Sequence, residues 1–352
     1  MKTRSIYIGL AIAWLLVAAA SLTIGTTGIG WQTYWTMANE TTADGNNPAH
    51  PIRTFCDTML KLPVPRLLMG SIAGAALAMA GAMFQALFRN PLASPYTLGI
   101  SSGASLGAAI TIVLTGGGLW FGFLPKVSVA AFAGALACVL IVYAVAHLRR
   151  GASMAVLLLT GITIGYVCSA LIVFVMFLAN QYDLSAILHW MMGSLEAAGG
   201  VGMNPVYESL MLVVVAAGVA IYLHRDLDLL MMGETLAASR GVPVRQSRRW
   251  AYFSASLLTA GVVAHCGPIG FVGLMVPHVM RSIVGPTHRW LLPGCALAGA
   301  TFLPLCDLLA RNAMWWLRGE PRQVPVGVLT NLVGGAFFLY ILLVRRNDRP
   351  LT

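Results

Sequence analysis

Charged residues are scarce in this chain, and two long stretches have none at all. Asp, Glu, Lys and Arg make up 10% of its 352 residues, against about 25% in an ordinary soluble domain. None occurs between Gly151 and Tyr182 or between Gln323 and Val344, and both runs exceed the ~18 apolar residues that mark a membrane-spanning helix. This scarcity excludes a soluble globular protein and predicts an all-α protein that crosses the membrane many times.

The chain has only three lysines and no CxxC pair, which argues against an ATP-hydrolysing site and against a cysteine metal or disulfide site. The three lysines, at positions 2, 61 and 126, never follow a glycine, so the chain has no Walker A motif and cannot hydrolyse ATP itself. We expect no catalytic residue, bound cofactor or metal in this chain. The six cysteines form no CxxC pair and are interpreted as small buried apolar residues: Cys56, Cys138, Cys168, Cys266, Cys295 and Cys306.

The apolar runs predict ten membrane spans, of which the third and the eighth are short. With both termini in the cytoplasm, fifteen of the 22 Lys and Arg residues lie on the cytoplasmic side and seven lie outside. Cytoplasmic loops carry an excess of these residues, so we expect this orientation, with the first run retained as a span rather than removed as a signal peptide. The spans are about residues 6–27, 67–88, 96–114, 124–148, 154–179, 206–223, 250–268, 270–284, 291–310 and 324–344.

Two polar stretches are too hydrophilic to cross the membrane. Residues 35–61 are predicted to form a periplasmic loop, and residues 224–249, with five Arg and three acidic residues, a cytoplasmic segment. Within the second stretch, Glu234–Arg240 favours a short helix that Gly241 ends, with Pro243 just beyond. The net charge of +10 belongs to loops beside anionic lipid and indicates no nucleic-acid partner.

Two segments interrupt apolar runs with glycine and proline, one in each half of the chain. Arg89–Ala104 and Gly267–His278 each contain two prolines, which prevent a continuous helix. Backbone groups freed at membrane depth must face protein or a water-filled cavity. Broken segments in both halves are typical of a transporter built from an internal repeat.

These segments and other stretches of the chain resemble the FecCD-type permeases of ATP-binding-cassette (ABC) importers, which carry iron-siderophores, haem and cobalamin. The resemblance covers nearly the whole chain, and its seven blocks follow the family order. It implies one permease domain over residues 1–352, built as two inverted five-helix halves with type II importer architecture. The blocks start at Gly74 (GAALAMAGAMFQALFRNPLASPYTLGISSGASLGA), Ile187 (ILHWMMGSL), Gly233 (GETLAASRGV), Gly267 (GPIGFVGLMVPHVMR), His288 (HRWLLPGCALAGA), Asp307 (DLLAR) and Val324 (VPVGVLTNLVGGAFFLYILL).

The resemblance also implies the assembly and its location. Two copies of the chain would form a homodimer with the transport pathway on its axis, in the inner membrane of a bacterium. A cytoplasmic ABC ATPase dimer would use ATP and Mg, and a periplasmic binding protein would deliver the cargo. The cargo expected is an iron(III) chelate, a siderophore complex or haem, with cobalamin as the alternative.

On the cytoplasmic side the resemblance implies a coupling helix and a gate. The residues that would fit the ATPase are Gly233, Glu234, Ala237, Ala238, Arg240 and Gly241. The cytoplasmic gate would be formed by Asn90, Pro91 and Leu92, together with Met154 and Ala155.

On the outer side the resemblance implies a periplasmic gate and a docking surface. Ser185–Leu195 resembles a short outer helix, whose Trp190, Met191 and Met192 would form the gate. Arg66 and Arg311 are expected to face outward and to meet acidic residues of the binding protein. The family pattern Arg-Leu-Pro-Arg before the second span reads Lys61-Leu62-Pro63-Val64-Pro65-Arg66 here, so Lys61 is expected to take part of that role. Alternatively, Asp307 and Arg311, four residues apart, pair along their own helix.

Two other classes of protein remain as alternatives. An ion-coupled secondary transporter usually needs acidic residues in mid-span, but Asp183, Glu196, Glu208 and Asp307 lie near span ends. An integral membrane enzyme needs a nucleophile, metal cluster or acid–base pair, and the histidines are scattered. His265 beside Cys266 is the one soft pair that could touch an iron complex.

Overall fold

The structure is a computed structural model that describes residues 2–24, 63–116, 118–120, 124–148, 154–195, 202–320 and 322–347. The predicted periplasmic loop, residues 35–61, lies outside these residues. The described helices are α1 (Lys2–Thr23), α2 (Pro63–Phe88), α3 (Ile100–Thr115), α4 (Lys126–Leu148), α5 (Met154–Leu178), α6 (Gln181–Met191), α7 (Asn204–Tyr222), α8 (His224–Met232), α9 (Glu234–Ser239), α10 (Val244–Cys266), α11 (Val272–Val284), α12 (His288–Arg318) and α13 (Val326–Asn347), with a 3-10 helix at Pro95–Leu98. A short antiparallel pair, β1 (Leu119–Trp120) and β2 (Leu124–Pro125), connects α3 to α4.

Ten of the described helices coincide with the ten predicted spans, which confirms the all-α polytopic fold: α1–α5, α7 and α10–α13. Seven described helices are long and apolar enough to cross a bilayer. Of the other three, α10 begins with three arginines in its first six residues, and α3 and α11 have 16 and 13 residues. At 1.5 Å per residue α11 is only about 20 Å long, so irregular chain must complete the crossing of a ~30 Å hydrocarbon core.

Helix α2 is the most enclosed of the seven, with 83% of its apolar window buried. Glycines let its backbone touch two neighbours: a methyl group on Gly74 would lie 2.0 Å from the carbonyl oxygen of Gly299 in α12, and one on Gly81 would lie 1.8 Å from that of Gly273 in α11. Such small-residue contacts replace the hydrophobic driving force that lipid does not supply. The centre of the protomer is therefore held by direct contact between helix backbones.

The connectors before the two short helices correspond to each other. The α2–α3 connector ends at Gly99 (φ 73°) and the α10–α11 connector at Phe271 (φ 64°), and each of these left-handed residues is the N-cap of a short helix. Arg89, just after the end of α2, lies near Arg248 at the start of α10, and Phe84, earlier in α2, packs on Tyr252, later in α10, with ring centroids 6.4 Å apart, so α2 and α10 run antiparallel. The two connectors consequently lie at opposite ends of the bundle, as an inverted repeat requires.

Candidate functional site

The polar stretch 224–249 forms two short helices rather than one, and its last six residues begin α10. The predicted helix Glu234–Arg240 is found as α9, Glu234–Ser239, followed by Gly241 at φ 81°. The preceding helix, α8, was missed in the sequence, although its buried Leu227 and Leu230 are three residues apart, as on one face of a helix. Gly233, at φ 127°, separates the two helices in a conformation that other residues rarely adopt. Below, "coupling segment" means residues 224–249.

The coupling segment has a small apolar core of its own. Ala237 is completely buried and packs with Leu230 and Val242. Ala238, Arg240 and Gly241 are exposed, and Glu234 is partly exposed. Of the residues predicted to meet an ATPase, Ala237 therefore supports the segment from within, and the exposed ones are available for contact.

Each of the three acidic residues in the coupling segment binds the beginning of a transmembrane helix. Asp226 accepts a hydrogen bond from Ser247 Oγ in α10, and Glu234 forms an ion pair with Arg248, also in α10. Asp228 binds His288, the first residue of α12. The acids are thus used within the chain, and the exposed charges left on the segment are positive: Arg225, Arg240, Arg245 and Arg249.

The predicted gate turn lies next to the coupling segment. Asn90 Oδ1 accepts a hydrogen bond of 2.9 Å from the backbone N–H of Leu92, and the Leu92 side chain is 60% exposed. Burial and the neighbouring positive charge of Arg89 both lower the pKa of Arg248. The Arg89 guanidinium also comes within 4.0 Å of where a methyl group on Gly233 would lie. The turn and the coupling segment are therefore in a position to move together.

The second predicted gate element is connected to the first through α5. Met154, half-buried, and Ala155, exposed, begin this helix. Further along it, a methyl group on Gly161 would lie 2.7 Å from Cα of Leu98, the last residue of the 3-10 helix that follows the gate turn. Close packing at Gly161 links the two elements within one protomer.

The predicted periplasmic gate residues follow or end α6, where three parts of the chain meet. The backbone N–H of Ser194 donates to the carbonyl of Cys266 at 2.8 Å, and that of Gly327 donates to the carbonyl of Gly193 at 3.2 Å. Trp190 and Met191 are half-buried and Met192 is 41% exposed. The outer turn is thereby attached to the end of α10 and to the start of α13.

The side chains of His265 and Cys266 are buried inside the chain. His265 Nε2 lies 3.3 Å from Glu208 Oε2, and its side chain is 7% exposed. Cys266 is 3% exposed. In the described residues no three His, Cys, Asp or Glu side chains come together as metal ligands would. The structure gives this pair a packing role, not the surface position that contact with an iron complex requires.

Two of the predicted docking residues do not face outward as expected. The Arg66 guanidinium binds both carboxylate oxygens of Asp307, at 2.8 and 2.9 Å, and the oxygen of Gln323 at 2.7 Å. Arg311 is 5% exposed and donates to the carbonyl of Ser21 in α1 at 2.7 Å. The expectation that these arginines face outward was wrong, because carboxylate and carbonyl oxygens inside the protomer satisfy them. Asp307 forms its ion pair with Arg66 and not with Arg311, the partner that the alternative expected.

Basic residues at the end of α12 and just beyond it are exposed, on the side predicted to face outward. Arg318 and Arg322 are exposed, with Glu320 between them. Lys61, the third predicted docking residue, lies outside the described residues. The bond between Asp228 and His288 also went unpredicted, because residues sixty positions apart leave no periodic signal in a single sequence.

Several known proteins are similar to this chain along most of its length. Residues 12–344 match the FecCD transport family. The chain is 35% identical to the hemin transport system permease HmuU of Yersinia pestis, over 97% of this chain and 96% of that protein. It is 36% identical to the Fe(3+) dicitrate permease FecD of Escherichia coli K12, over 82% and 86%, and 39% identical to the cobalamin permease BtuC of Halobacterium salinarum, over 79% and 71%. A solved metal-chelate type ABC transporter in an inward-facing conformation superposes with a TM-score of 0.80 at 26% identity, over 97% of this chain and 99% of that one.

Proposed function

Since this chain belongs to the FecCD transport family, we propose that it carries an iron(III) chelate, a ferric siderophore or haem, into the cytoplasm by alternating access. The chain is a multi-pass permease subunit of an ABC importer. The observation that carries the choice of cargo is the similarity to the hemin permease over 97% of this chain. The likeness to a metal-chelate type transporter supports the same class of cargo.

Cobalamin is the second candidate cargo. The cobalamin permease of Halobacterium salinarum has the higher identity, 39%, although over 79% of this chain. The test is ATP-driven uptake into proteoliposomes that hold the permease and its ATPase, with the cognate binding protein outside. Radiolabelled haemin, a ferric siderophore and cyanocobalamin would be compared at equal concentration. Uptake of an iron chelate and not of cyanocobalamin supports the proposal, and uptake of cyanocobalamin alone refutes it.

The assembly we propose is a homodimer of this chain, with an ATPase dimer and a periplasmic binding protein. Both termini lie in the cytoplasm, and the membrane is the bacterial inner membrane. The excess of basic residues on one side of the spans supports this orientation. ATP and Mg are used by the ATPase, and this chain needs no cofactor of its own. The ATPase surface that meets the coupling segment is expected to be acidic, because the exposed charges there are arginines.

Helix α9 is proposed to transmit the ATPase movement, which a pair of proline variants would test. Ala237→Pro removes the hydrogen bond of 3.0 Å from its backbone N–H to the carbonyl of Gly233 and disturbs the small core. The matched control is Thr235→Pro, in the first turn, where proline is tolerated. Ala237→Pro should insert and bind the binding protein but should not stimulate ATP hydrolysis. Normal stimulation in a verified complex would contradict the assignment.

The gates are proposed at the two ends of the pathway. Asn90, Pro91 and Leu92, with Met154 and Ala155, would close the cytoplasmic end, and Trp190, Met191 and Met192 the periplasmic end. The exposed Leu92 side chain and the contact of α5 with the 3-10 helix support the first gate. The attachment of the outer turn to both α10 and α13 supports the second.

A further inference from the structure

Asp228 ties the coupling segment to the first residue of α12. Its Oδ1 accepts a hydrogen bond from the backbone N–H of His288 at 2.8 Å and another from the imidazole Nδ1 at 2.6 Å. The His288 side chain has no exposed surface, and the Asp228 side chain is 27% exposed. A hydrogen bond to a carboxylate is charge-assisted and about twice as strong as a neutral one. The contact is therefore short, largely shielded from water and directional.

Asp228 also takes the place of the missing cap of α12. Thr287, at the N-cap position, makes no side-chain hydrogen bond to the helix. The first backbone N–H groups of a helix have no partner within it, and a carboxylate there is further favoured by the helix dipole. Since α12 is capped by a residue of α8 and not by its own, a displacement of α8 acts directly on the start of α12.

The other two acidic residues of the coupling segment bind α10, not α12. Asp226, two positions before Asp228 on α8, binds Ser247 of α10, and Glu234 pairs with Arg248 of α10. Of these three acids, all of which the structure describes, Asp228 is the one that binds α12. Helix α8 thus connects separately to two transmembrane helices, and loss of Asp228 would leave the connection to α10 in place.

Helix α12 is able to carry a displacement through the bundle. It has 31 residues, and its Gly299 touches the backbone of α2 midway along. Eight residues further along α12, Asp307 binds Arg66 at the start of α2. A movement applied at His288 therefore reaches both the centre and the outer side of the protomer.

We propose that Asp228 and His288 are positioning residues for transport: they form the joint through which the coupling segment moves α12. This proposal rests on the proposed function, because it requires an ATPase that moves the coupling segment. Without the joint, the ATPase still docks on the segment and still hydrolyses ATP, and the attachment to α10 remains. What is lost is the transfer of that movement to α12, so less cargo is carried for each ATP.

The test compares four single variants, and the double variant Asp228→Ala with His288→Leu, in proteoliposomes that hold the whole importer. Asp228→Ala removes the acceptor and His288→Leu removes the donor. His288→Asn keeps a donor, since its side-chain Nδ2 occupies the position of the imidazole Nδ1. Thr287→Ala is the matched control, because this exposed neighbour makes no cap bond. For each, co-purification of the ATPase, thermal stability, ATP hydrolysis and cargo uptake are measured, and uptake is divided by ATP hydrolysed.

We expect Asp228→Ala and His288→Leu to retain the ATPase and to lower uptake per ATP at least about fivefold, at the lower end of coupling effects between sites. The double variant should fall no further than either single one, and both His288→Asn and Thr287→Ala should stay near the wild type. Loss of thermal stability with unchanged uptake per ATP in His288→Leu would overturn the proposal and leave Asp228 as a cap. An additive double variant, or no recovery in His288→Asn, would also overturn it. Should His288→Leu fail to insert, Asp228→Ala decides alone by the same criteria. Absence of ATP-driven uptake in the wild type would instead refute the proposed function.

Discussion

Replacing Gly81 with alanine should separate α2 from α11. The added methyl group would lie 1.8 Å from the carbonyl oxygen of Gly273 and 2.6 Å from its Cα. Ordinary contact between such atoms needs about 3.5 Å, so the two backbones must move apart by well over 1 Å. Backbone atoms cannot swing aside as the tip of a side chain can, and the displacement extends along α11.

The expected loss of stability follows from two opposing effects. Overpacking costs about 1–3 kcal/mol or more, and alanine is favoured over glycine within a helix by about 1 kcal/mol. Because the methyl group meets backbone atoms, we expect a cost at the upper end of that range and a net loss of about 2 kcal/mol in the free energy of unfolding. Cargo uptake should fall as well, because the start of α11 is displaced. Gly218→Ala, in α7, is the control: nothing lies within 4 Å of its added methyl group, so it should be neutral or stabilising.

The measurement is reversible unfolding of purified permease in bicelles, with thermal inactivation of uptake as a second readout. Both variants are compared with the wild type under identical lipid and detergent. If Gly81→Ala were as stable as Gly218→Ala, the backbone contact at Gly273 would not exist in the protein. The account of α2 as the helix that holds the protomer together would then be wrong.

Three further predictions concern the two membrane surfaces and the connection between the halves. Arg66→Ala should destabilise the permease by about 3–5 kcal/mol in the same unfolding assay, because it leaves the buried Asp307 charge unpaired. Adding Asp307→Asn should recover part of the loss, and an Arg66→Ala variant as stable as the wild type would show that the pair is not formed. The double variant Arg318→Glu with Arg322→Glu should lower the affinity for the periplasmic binding protein, measured by titration, at low salt but change it little at high salt, because salt screens exposed charges. An unchanged affinity at low salt would exclude this surface from docking. In the proposed homodimer, Leu92→Cys should form a disulfide between the two copies upon oxidation, to an extent that depends on nucleotide. Cross-linking that does not change with nucleotide would count against a gate at this turn.

The spans were predictable because their signal is local. Each apolar run is continuous in the sequence. The stop signal of α9 is local too, because Gly241 follows the helix by two residues. The short α3 and α11 could be recognised from the prolines and glycines just before them. Lipid solvation acts on every residue of a run in the same way, so composition alone identifies a span.

The partners of the charged residues were not predictable for a physical reason. The excess of basic residues on one side predicts the orientation of the spans in the membrane. It does not predict whether the side chain of a given arginine faces solvent or another helix. Arg66 and Asp307 are 241 positions apart and meet because α2 and α12 touch along their glycines. Asp307 and Arg311 share a helix face, yet Arg66 offers Asp307 two parallel N–H groups, the more favourable geometry for a carboxylate.

The contact between α2 and α12 also bears on how one fold serves cargoes of different size. The backbones touch at Gly74 and Gly299, and Arg66 at the start of α2 binds Asp307 about two turns further along α12. These two contacts hold the first and second halves of the protomer together. No room for a bulky chelate can open along that seam without breaking both contacts. In the proposed homodimer, the space for cargo would then form where the two protomers face each other, and there the lining could change without loss of the contacts between α2 and α12. A change of cargo among haem, a siderophore and a corrin would in that assembly require changes at the dimer boundary alone, while the interior of each protomer stays the same.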